Sequence, residues 1–512
     1  MKVRGANWTK YSERRSIPRR MISELLLIVL FCMFIWGYYR KHGEDHVYPP
    51  GPPTLPILGN LWTLRFQLHH ETFIELAKIY GNVYTVWLGQ IPVIVLNGFK
   101  AVKEVLNSHS EAYTGRPLLP FFMDLMGEKG VVLTSGHTWK QQRRFGQVAL
   151  KKLGLGKRNM EVRIQEEVQS LLEMFAAMEG SPTDPSVWIT HSVSNVISAV
   201  VFGKRFLLED KDFQKLHKAT ELVIAAPGTL WARIYDLVPT LMRHLPGPHE
   251  KAFKYFHILC SFIHNEVKEH QELLRSELRA KEDMDFIDHY LIQISKTKCD
   301  SNSTFNEENL VHLVADLFMT GTETVATTLQ WALLYMVAFP DIQGKVQEEL
   351  DAILEGSHMI NNEDRKRLPY TNAVIHEIQR FGNIVSVGVV RKCMADIRLH
   401  GFKVPKGTII LPNISSVLYD PEQWKSPREF SPLHFLQENG TFETKEAFLP
   451  FSSGQRACLG EHLAKIELFL FFSNLLRTFS FQVPEGECQP RLDYVQAATL
   501  QPYPYRVRAV LR

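Results

Sequence analysis

The sequence predicts a mainly α-helical protein with small β-sheets, in which a single large domain follows an apolar segment near the N-terminus. Helical periodicity dominates from about residue 60 onward, and no linker, repeat or low-complexity tract divides this part of the chain. The stretch from Leu310 to Phe339 lacks proline and is apolar nearly all round, which is typical of a buried central helix about 45 Å long. Two short β-type runs near residues 83–97 predict a hairpin ahead of the helices.

The composition is typical of a globular protein and gives no sign of a nucleic-acid-binding protein or of one rich in disulfides. The 512 residues are 45% hydrophobic and 22% charged, which is ordinary for a globular protein with a sizeable core. A net charge of +3, without a basic stripe interleaved with aromatic residues, gives no reason to expect a nucleic-acid partner. The six cysteines form no CxxC pair, so their pattern indicates a reducing compartment in which at most one thiol has a special role.

The first 20 residues form a basic extension, with seven lysines and arginines against one acid, Glu13. By the positive-inside rule this segment would stay in the cytosol. The same composition is also typical of a mitochondrial transit peptide. In a third interpretation, which we favour, translation begins at Met21 and leaves a short lumenal stub.

Residues 21–41 are predicted to form a membrane anchor helix in a lipid bilayer. The run from Leu25 to Tyr39 carries no charge, and about 20 residues are needed to cross a bilayer. No small-residue cleavage site follows, and Arg40 and Lys41 are typical of the cytosolic end of a retained anchor rather than of a cleaved signal peptide.

Residues 42–56 are predicted to form a proline-rich hinge between the anchor and the large domain. Five prolines lie between Pro49 and Pro56, and proline favours a stiff, extended backbone. The segment is either a rigid strap or an ordinary linker, and residues 57–512 form the large domain.

The long central helix has predicted boundaries. Thr304 and Glu307 fit the capping-box pattern at its start, and Pro340 is expected to end it.

Cys458 lies where a glycine- and serine-rich loop meets a predicted helix that contains Leu459, Leu463 and Ile466 on one stripe. Backbone N–H groups at a helix N-terminus favour thiolate over thiol. A lone thiolate suits a single bond to a metal or a nucleophilic role, whereas the alternative is an inert, buried cysteine.

The spacing around this cysteine favours the metal. Residues Phe451, Gly454, Arg456, Cys458 and Gly460 form the pattern F-x-x-G-x-R-x-C-x-G. This pattern resembles the haem-binding loop of the cytochrome P450 family. The resemblance covers roughly residues 48–512 and is closest to vertebrate microsomal members of the second family. It implies the cytochrome P450 fold, with a single helical haem domain behind the anchor.

The resemblance implies how haem b is held. Cys458 would be the axial ligand of the haem iron, and a thiolate ligand favours O–O cleavage. Gly454 would permit the turn in the loop, and Gly460 the close approach of helix and porphyrin. Four side chains would face the haem propionates, namely Arg456, Trp139, Arg143 and Arg391.

A buried ion-pair network behind the haem is also implied. Glu377 and Arg380 lie three residues apart on one helical face and match the family's E-x-x-R. His434 occupies the position where many members carry arginine, so the resemblance does not fix a permanent charge there.

The central helix would supply the oxygen-activating residues. Its segment "TGTETV" resembles the family's A/G-G-x-D/E-T-T/S. Gly321 would make room for dioxygen, while Glu323 and Thr324 would form the acid–alcohol pair that delivers protons. Thr320 and Val325 depart from the family pattern, so the details of the relay are open.

The implied function is a monooxygenase that hydroxylates or epoxidises lipophilic substrates such as fatty acids, steroids or xenobiotics. Electrons would come from NADPH through NADPH-cytochrome P450 reductase, with a b-type cytochrome as a further candidate partner. Lys140, Arg143, Arg144 and Lys465 are candidates for a basic face toward the reductase. The alternatives are a haem-thiolate isomerase or dehydratase and a non-catalytic haem-binding sensor or carrier.

Family analogy also implies a location and a pocket. The expected location is the endoplasmic reticulum membrane with the catalytic domain in the cytosol, and the alternative is the mitochondrial inner membrane. The residues expected to line the substrate pocket are Phe121, Phe122, Ile224, Ala315, Phe318, Thr320, Val385 and Leu500.

Overall fold

The structure is a computed structural model in which two predicted N-terminal segments are largely outside the described residues. The basic extension (1–20), most of the anchor (21–41) and residues 42–47 of the hinge belong to this undescribed part. The structure describes residues 48–108, 111–153, 158–276, 284–353 and 359–512, together with Glu24, Ile28, Val29, Phe31 and Cys32.

The described residues form a mainly helical domain, as predicted. The α-helices in chain order are α1 His70–Tyr80, α2 Gly98–Lys103, α3 Pro120–Met126, α4 Gly136–Lys152, α5 Arg158–Ala176, α6 Ser186–Val201, α7 Lys211–Ala225, α8 Leu230–Leu237, α9 Pro239–Met242, α10 Pro248–Arg275, α11 Phe286–Lys296, α12 Glu307–Ala338, α13 Pro340–Ile353, α14 Pro369–Gly382, α15 Ile414–Leu418 and α16 Glu461–Thr478.

Helix α12 is the central element that the sequence predicted. It has 32 residues, so it is about 48 Å long, and it packs against α6, α10, α14 and α16. Most of its side chains are buried on every side because an apolar helix with no polar face can be stable only inside a protein. Helices α13 and α12 meet at a bend of 105° beside Pro340.

The predicted capping box of this helix is wrong. Asn306 is the N-cap, and its side chain accepts a hydrogen bond from the backbone N–H of Asn309. Thr304 instead donates its hydroxyl proton to the side-chain oxygen of Gln141 on α4 at 2.8 Å. Thr304 is therefore engaged in a tertiary hydrogen bond with Gln141 and does not cap the helix.

The β-structure begins with the hairpin that the sequence predicted. Strands β1 and β2 are antiparallel, β2 pairs in parallel with β6, and β6 pairs antiparallel with β3, which gives a four-stranded sheet of order β1-β2-β6-β3. The remaining strands form three two-stranded sheets. The strands are β1 Val83–Leu88, β2 Ile91–Leu96, β3 Arg391–Lys392, β4 Ile397–Leu399, β5 Phe402–Val404, β6 Ile409–Pro412, β7 Phe479–Gln482, β8 Tyr494–Gln496, β9 Leu500–Pro502 and β10 Arg508–Leu511.

The described part of the proline-rich segment is fixed to this sheet. A Cβ atom on Gly51 would lie 1.9 Å from the carbonyl oxygen of Thr85, so only glycine allows the backbone to lie this close to β1. The side-chain amide of Asn60 donates to the carbonyl oxygens of Pro52 and Pro53. The segment is thus part of the domain surface rather than a free linker from Tyr48 onward.

The helices of the described residues were compared with the length and apolar composition that a membrane span requires. No single helix there is long and apolar enough to cross a bilayer, although α12 and α13 together meet that test by length and composition.

Candidate active site

The loop before α16 presents Cys458. The backbone N–H of Cys458 donates to the carbonyl oxygen of Phe451 at 3.0 Å, which closes the loop. Gly454 has φ of +73°, and a Cβ atom there would lie 1.9 Å from the carbonyl oxygen of Leu106. Glycine is therefore required at this turn for two independent reasons.

The thiol of Cys458 lies in a recess that is open on one side. Its side chain is exposed, and the backbone N–H groups of Gly460 and Glu461 hydrogen-bond to the sulfur. Burial by the surrounding protein is the largest effect and raises the pKa of the thiol, while these N–H groups and the charge of Arg143 lower it. On balance the protein groups raise the pKa of the thiol, and an iron cation bound to the sulfur would favour the thiolate.

Four arginines converge beside this recess. Arg116 donates to the carbonyl oxygens of Val132, Val389 and Val390, and the guanidinium of Arg456 donates to the carbonyl oxygens of Thr114, Val131 and Thr134. Arg143 donates to the carbonyl oxygen of Ala457, one residue before the cysteine, at 2.8 Å. Arg391 completes the set and donates to the hydroxyl of Ser452 at 3.1 Å.

The charge of these arginines is not compensated within the described residues, where none of the four forms an ion pair with a carboxylate. Burial lowers the pKa of each, and repulsion from neighbouring guanidinium groups adds to this for Arg116, Arg391 and Arg456. The pKa falls to about 10 for Arg391 and to about 9 for Arg456. Buried cations are costly unless they are paired, so this cluster is suited to a ligand with several negative charges.

Two buried N–H donors in the same place have no partner. The Nε1 atom of Trp139 and the Nε atom of Arg391 make no hydrogen bond within the described residues. The guanidinium of Arg456 lies 4.0 Å from the centroid of the Trp139 ring, so the indole also faces the cluster. Buried donors are nearly always satisfied in native proteins, and two carboxylates such as those of haem would satisfy these.

The residues present therefore fit a haem group. Unpaired donors and uncompensated cations match its two propionates, and the exposed thiol matches its iron. Gly460 adds room, because a Cβ atom there would have no protein atom within 4 Å. These observations support the assignments of Cys458, Trp139, Arg143, Arg391, Arg456 and Gly460.

The pair Glu377–Arg380 lies deep inside the domain. Both side chains have no exposed surface, and the carboxylate accepts two hydrogen bonds of 2.7 Å from the guanidinium. Arg380 also donates to the carbonyl oxygens of Leu418, Pro427 and Glu429. Every charge is thus paired, as a buried ion pair requires.

His434 completes this network through hydrogen bonds at both of its ring nitrogens. Its Nε2 atom accepts a hydrogen bond from the backbone N–H of Ser426 at 3.3 Å, so its proton is on Nδ1. Nδ1 then donates to the carboxylate of Glu377 at 3.2 Å. The network therefore contains a histidine donor at the position where the family resemblance led us to expect arginine in many members.

Thr320 and Thr324 lie on one face of α12. Each hydroxyl donates to the carbonyl oxygen four residues earlier, Thr324 to Thr320 at 2.8 Å and Thr320 to Asp316 at 2.7 Å. Thr320 is exposed and Thr324 is half-buried on a helix that is otherwise mostly buried. Each hydroxyl oxygen can still accept a hydrogen bond from a water molecule through its lone pairs.

Gly321 lies where two helices cross, and its role in making room for dioxygen stays a prediction. A Cβ atom on it would lie 3.1 Å from Ile197 on α6. The glycine therefore allows α6 and α12 to cross closely, and the helix continues through it without a break.

Glu323 is directed toward the C-terminal hairpin of β8 and β9. Its Oε1 atom accepts hydrogen bonds from Thr499 Oγ1 and Gln501 Nε2, both at 2.7 Å, and from Thr327 Oγ1 at 3.4 Å. It makes no hydrogen bond with its predicted partner Thr324 in the described structure. Sequence reasoning missed both hairpin residues, and it also missed Arg116.

The predicted pocket residues fall into two groups by exposure. Phe121, Ala315, Phe318 and Leu500 are fully buried, and Phe318 packs against Phe202 and Phe213. The others are half-buried or exposed, namely Phe122, Ile224, Val385 and Thr320. The second group is better placed to contact a substrate.

The predicted basic face is reduced by neighbouring acids. Lys465 forms an ion pair with Glu461 at 2.6 Å, Lys140 lies 3.7 Å from Glu111, and Arg143 is directed inward to Ala457. Helix α4 nevertheless contains no acidic residue, and Lys140, Arg144, Lys151 and Lys152 are exposed along it.

The sequence is similar to known proteins over the whole domain. The family model described as Cytochrome P450 matches residues 49–509. Cytochrome P450 2J5 of Mus musculus is 41% identical over 491 residues, which cover 96% of this chain and 96% of that protein. Cytochrome P450 2J2 of Homo sapiens is 42% identical over 485 residues, or 95% of each chain. The chain therefore belongs to the cytochrome P450 family and is a haem-thiolate monooxygenase.

Proposed function

We propose that this monooxygenase takes electrons from NADPH through a separate flavoprotein reductase and hydroxylates or epoxidises lipophilic substrates. In this reaction a substrate RH, dioxygen, NADPH and a proton give ROH, water and NADP⁺. The single observation that carries the proposal is the exposed thiol of Cys458 next to four buried arginines without carboxylate partners in the described structure.

Haem, when bound, supplies the activation of dioxygen. In this proposal the thiol of Cys458 would bind its iron, and the free N–H groups of Trp139 and Arg391 would bind its propionates. Arg116, Arg143 and Arg456 supply the positive potential that retains it. Arg456 also ties the cysteine loop to Val131 and Thr134, and Arg143 bonds the loop at Ala457, so cofactor binding and loop order depend on the same side chains.

Proton delivery is assigned to Thr324 and Glu323. The Thr324 hydroxyl uses its proton within the helix, and its lone pairs can hold a water molecule in place. Glu323 supplies protons to that water as a general acid. An isomerase or dehydratase has no need of such a pair, and its presence favours the monooxygenase over those alternatives.

Charge and the N-terminal sequence support the proposed partners and location. Helix α4 is the proposed contact for an acidic reductase, and for a b-type cytochrome, because it is basic and continues toward the loop of Cys458 through Arg143. Residues 21–41 would anchor the chain in the endoplasmic reticulum membrane with the domain in the cytosol.

The test is the absorption spectrum of the reduced, carbon monoxide-bound protein, followed by turnover with purified reductase under ¹⁸O₂. A strongly red-shifted Soret band and one ¹⁸O atom per product molecule are expected. A haem spectrum without that band would rule out thiolate ligation. Substrate conversion without NADPH consumption would rule out the monooxygenase reaction with these partners.

A further inference from the structure

The β8–β9 hairpin is fixed to two elements near the site. The backbone N–H of Leu500 donates to the carbonyl oxygen of Ile384 at 2.9 Å. The indole N–H of Trp331, on α12, donates to the carbonyl oxygen of Leu500 at 2.8 Å. The bond from Trp331 is buried and Leu500 is bonded on both sides, so the hairpin is held firmly at this residue.

This support determines how the Glu323 carboxylate is held. The two shortest hydrogen bonds to its Oε1 atom, both of 2.7 Å, come from Thr499 and Gln501 of the hairpin. The bond from its own helix, donated by Thr327, is 3.4 Å long. Thr499 is only 5% exposed, so its hydroxyl has little competition from solvent water. The hairpin therefore controls the orientation of Glu323 more strongly than α12 does.

We propose that Thr499 and Gln501 are positioning residues for proton delivery and that they set how much of the consumed NADPH yields product. With three donors on Oε1, the proton-carrying oxygen is Oε2, for which the described residues provide no partner. Without the hairpin donors the carboxyl group can rotate, and delivery of protons becomes less selective. The inference rests on the proposed role of Glu323.

When proton delivery is less selective, a side reaction that forms hydrogen peroxide competes with oxidation of the substrate. In it NADPH, a proton and dioxygen give NADP⁺ and hydrogen peroxide, so the same two electrons leave without oxidising the substrate. The ratio of product to NADPH therefore reports on positioning, and the sum of product and peroxide accounts for the electrons.

The chain offers a matched control for the test. Gln501→Met and Thr499→Val remove the donors to Glu323. Gln496→Met makes the same chemical change on the same hairpin, but it removes a hydrogen bond to the carbonyl oxygen of Leu68. In the haem-loaded full chain, we expect the first two variants to lower product per NADPH by roughly 3- to 30-fold, since a displaced acid loses part of its catalytic effect. Peroxide rises correspondingly, and the control matches the wild type.

A second readout needs no turnover. The thermal midpoint of the resting holoprotein is measured for Thr499→Val with Glu323 present and in a Glu323→Met background. We expect a fall of about 1–3 °C only when the carboxylate is present. A change of equal size in both backgrounds would show that Thr499 acts on something other than Glu323 and would overturn the proposal.

The two proposals fail in different ways. If the wild-type chain gives no oxygenated product with reductase, the proposed function fails, while the thermal comparison still tests the contact. If product forms and both hairpin variants keep wild-type coupling, the positioning role is overturned even though the monooxygenase reaction stands.

Discussion

Replacing Arg391 by methionine is expected to have opposite effects on the stability of the protein without haem and on its affinity for haem. Arg391 is 5% exposed, its Nε atom has no partner in the described structure, and its one hydrogen bond goes to Ser452. Burial and repulsion from Arg143 lower its pKa from the ordinary value of an arginine to about 10. Keeping it charged at neutral pH thus costs on the order of 3 kcal/mol.

The magnitudes follow from these contacts. Methionine removes that cost and loses the bond to Ser452, worth about 1 kcal/mol, so the haem-free protein should gain roughly 2 kcal/mol of stability. A hydrogen bond between a guanidinium and a carboxylate contributes about 1.5–3 kcal/mol. Its loss should raise the dissociation constant of haem about 10- to 150-fold.

The assay compares unfolding by urea of protein produced without haem with the rate of haem transfer to an excess of an apo-globin acceptor. Arg380→Met is the control, because it breaks a fully paired buried charge and should destabilise both forms by about 3–5 kcal/mol. A lower unfolding free energy for haem-free Arg391→Met than for wild type, or an unchanged rate of haem release, would refute the idea that the Arg391 charge is there to bind a propionate.

Four further outcomes are expected. Cys458→His should fold but lack the red-shifted carbon monoxide band, and persistence of the band would identify another thiol as ligand. Thr324→Ala should lower product per NADPH by up to about 10²-fold and raise peroxide, whereas unchanged coupling with a collapse in Thr320→Ala would reverse the assignment. Glu377→Gln should lower the unfolding free energy by about 3–5 kcal/mol because its arginine partner stays charged, measured by urea titration against wild type. Deletion of residues 1–47 should increase solubility while haem binding persists, and release of the full-length chain from microsomes by salt alone would contradict the anchor.

Local patterns predicted the parts of the site that one stretch of chain builds. The turn at Gly454, the helix after Cys458 and the ion pair of Glu377 with Arg380 depend on residues only a few positions apart. The spacing of residues along the chain determines such short-range contacts, so a matching spacing in this sequence predicts the same contacts as in the family.

Contacts between residues far apart in the sequence could not be predicted from spacing. Thr499 bonds Glu323 across 176 positions, and Arg116 bonds Val389 across 273, so neither partner follows from periodicity. The same applies to Gly321, whose predicted role concerned dioxygen but whose nearest neighbour is Ile197 of another helix. A residue's type was predictable in each case, and its partner depended on how the helices pack.

The close contact of Gly51 with β1 limits the reach of the chain from a membrane. If residues 21–41 span a bilayer, only six residues, or seven Cα–Cα steps, separate the end of that helix from Tyr48, where the chain joins the domain. A fully extended backbone covers about 3.5 Å per residue, which gives a tether of at most about 25 Å. A domain of about 465 residues has a radius of gyration near 23 Å. The domain could not diffuse away from the lipid surface by more than about its own radius, so apolar molecules dissolved in the bilayer would meet it far more often than molecules in bulk water.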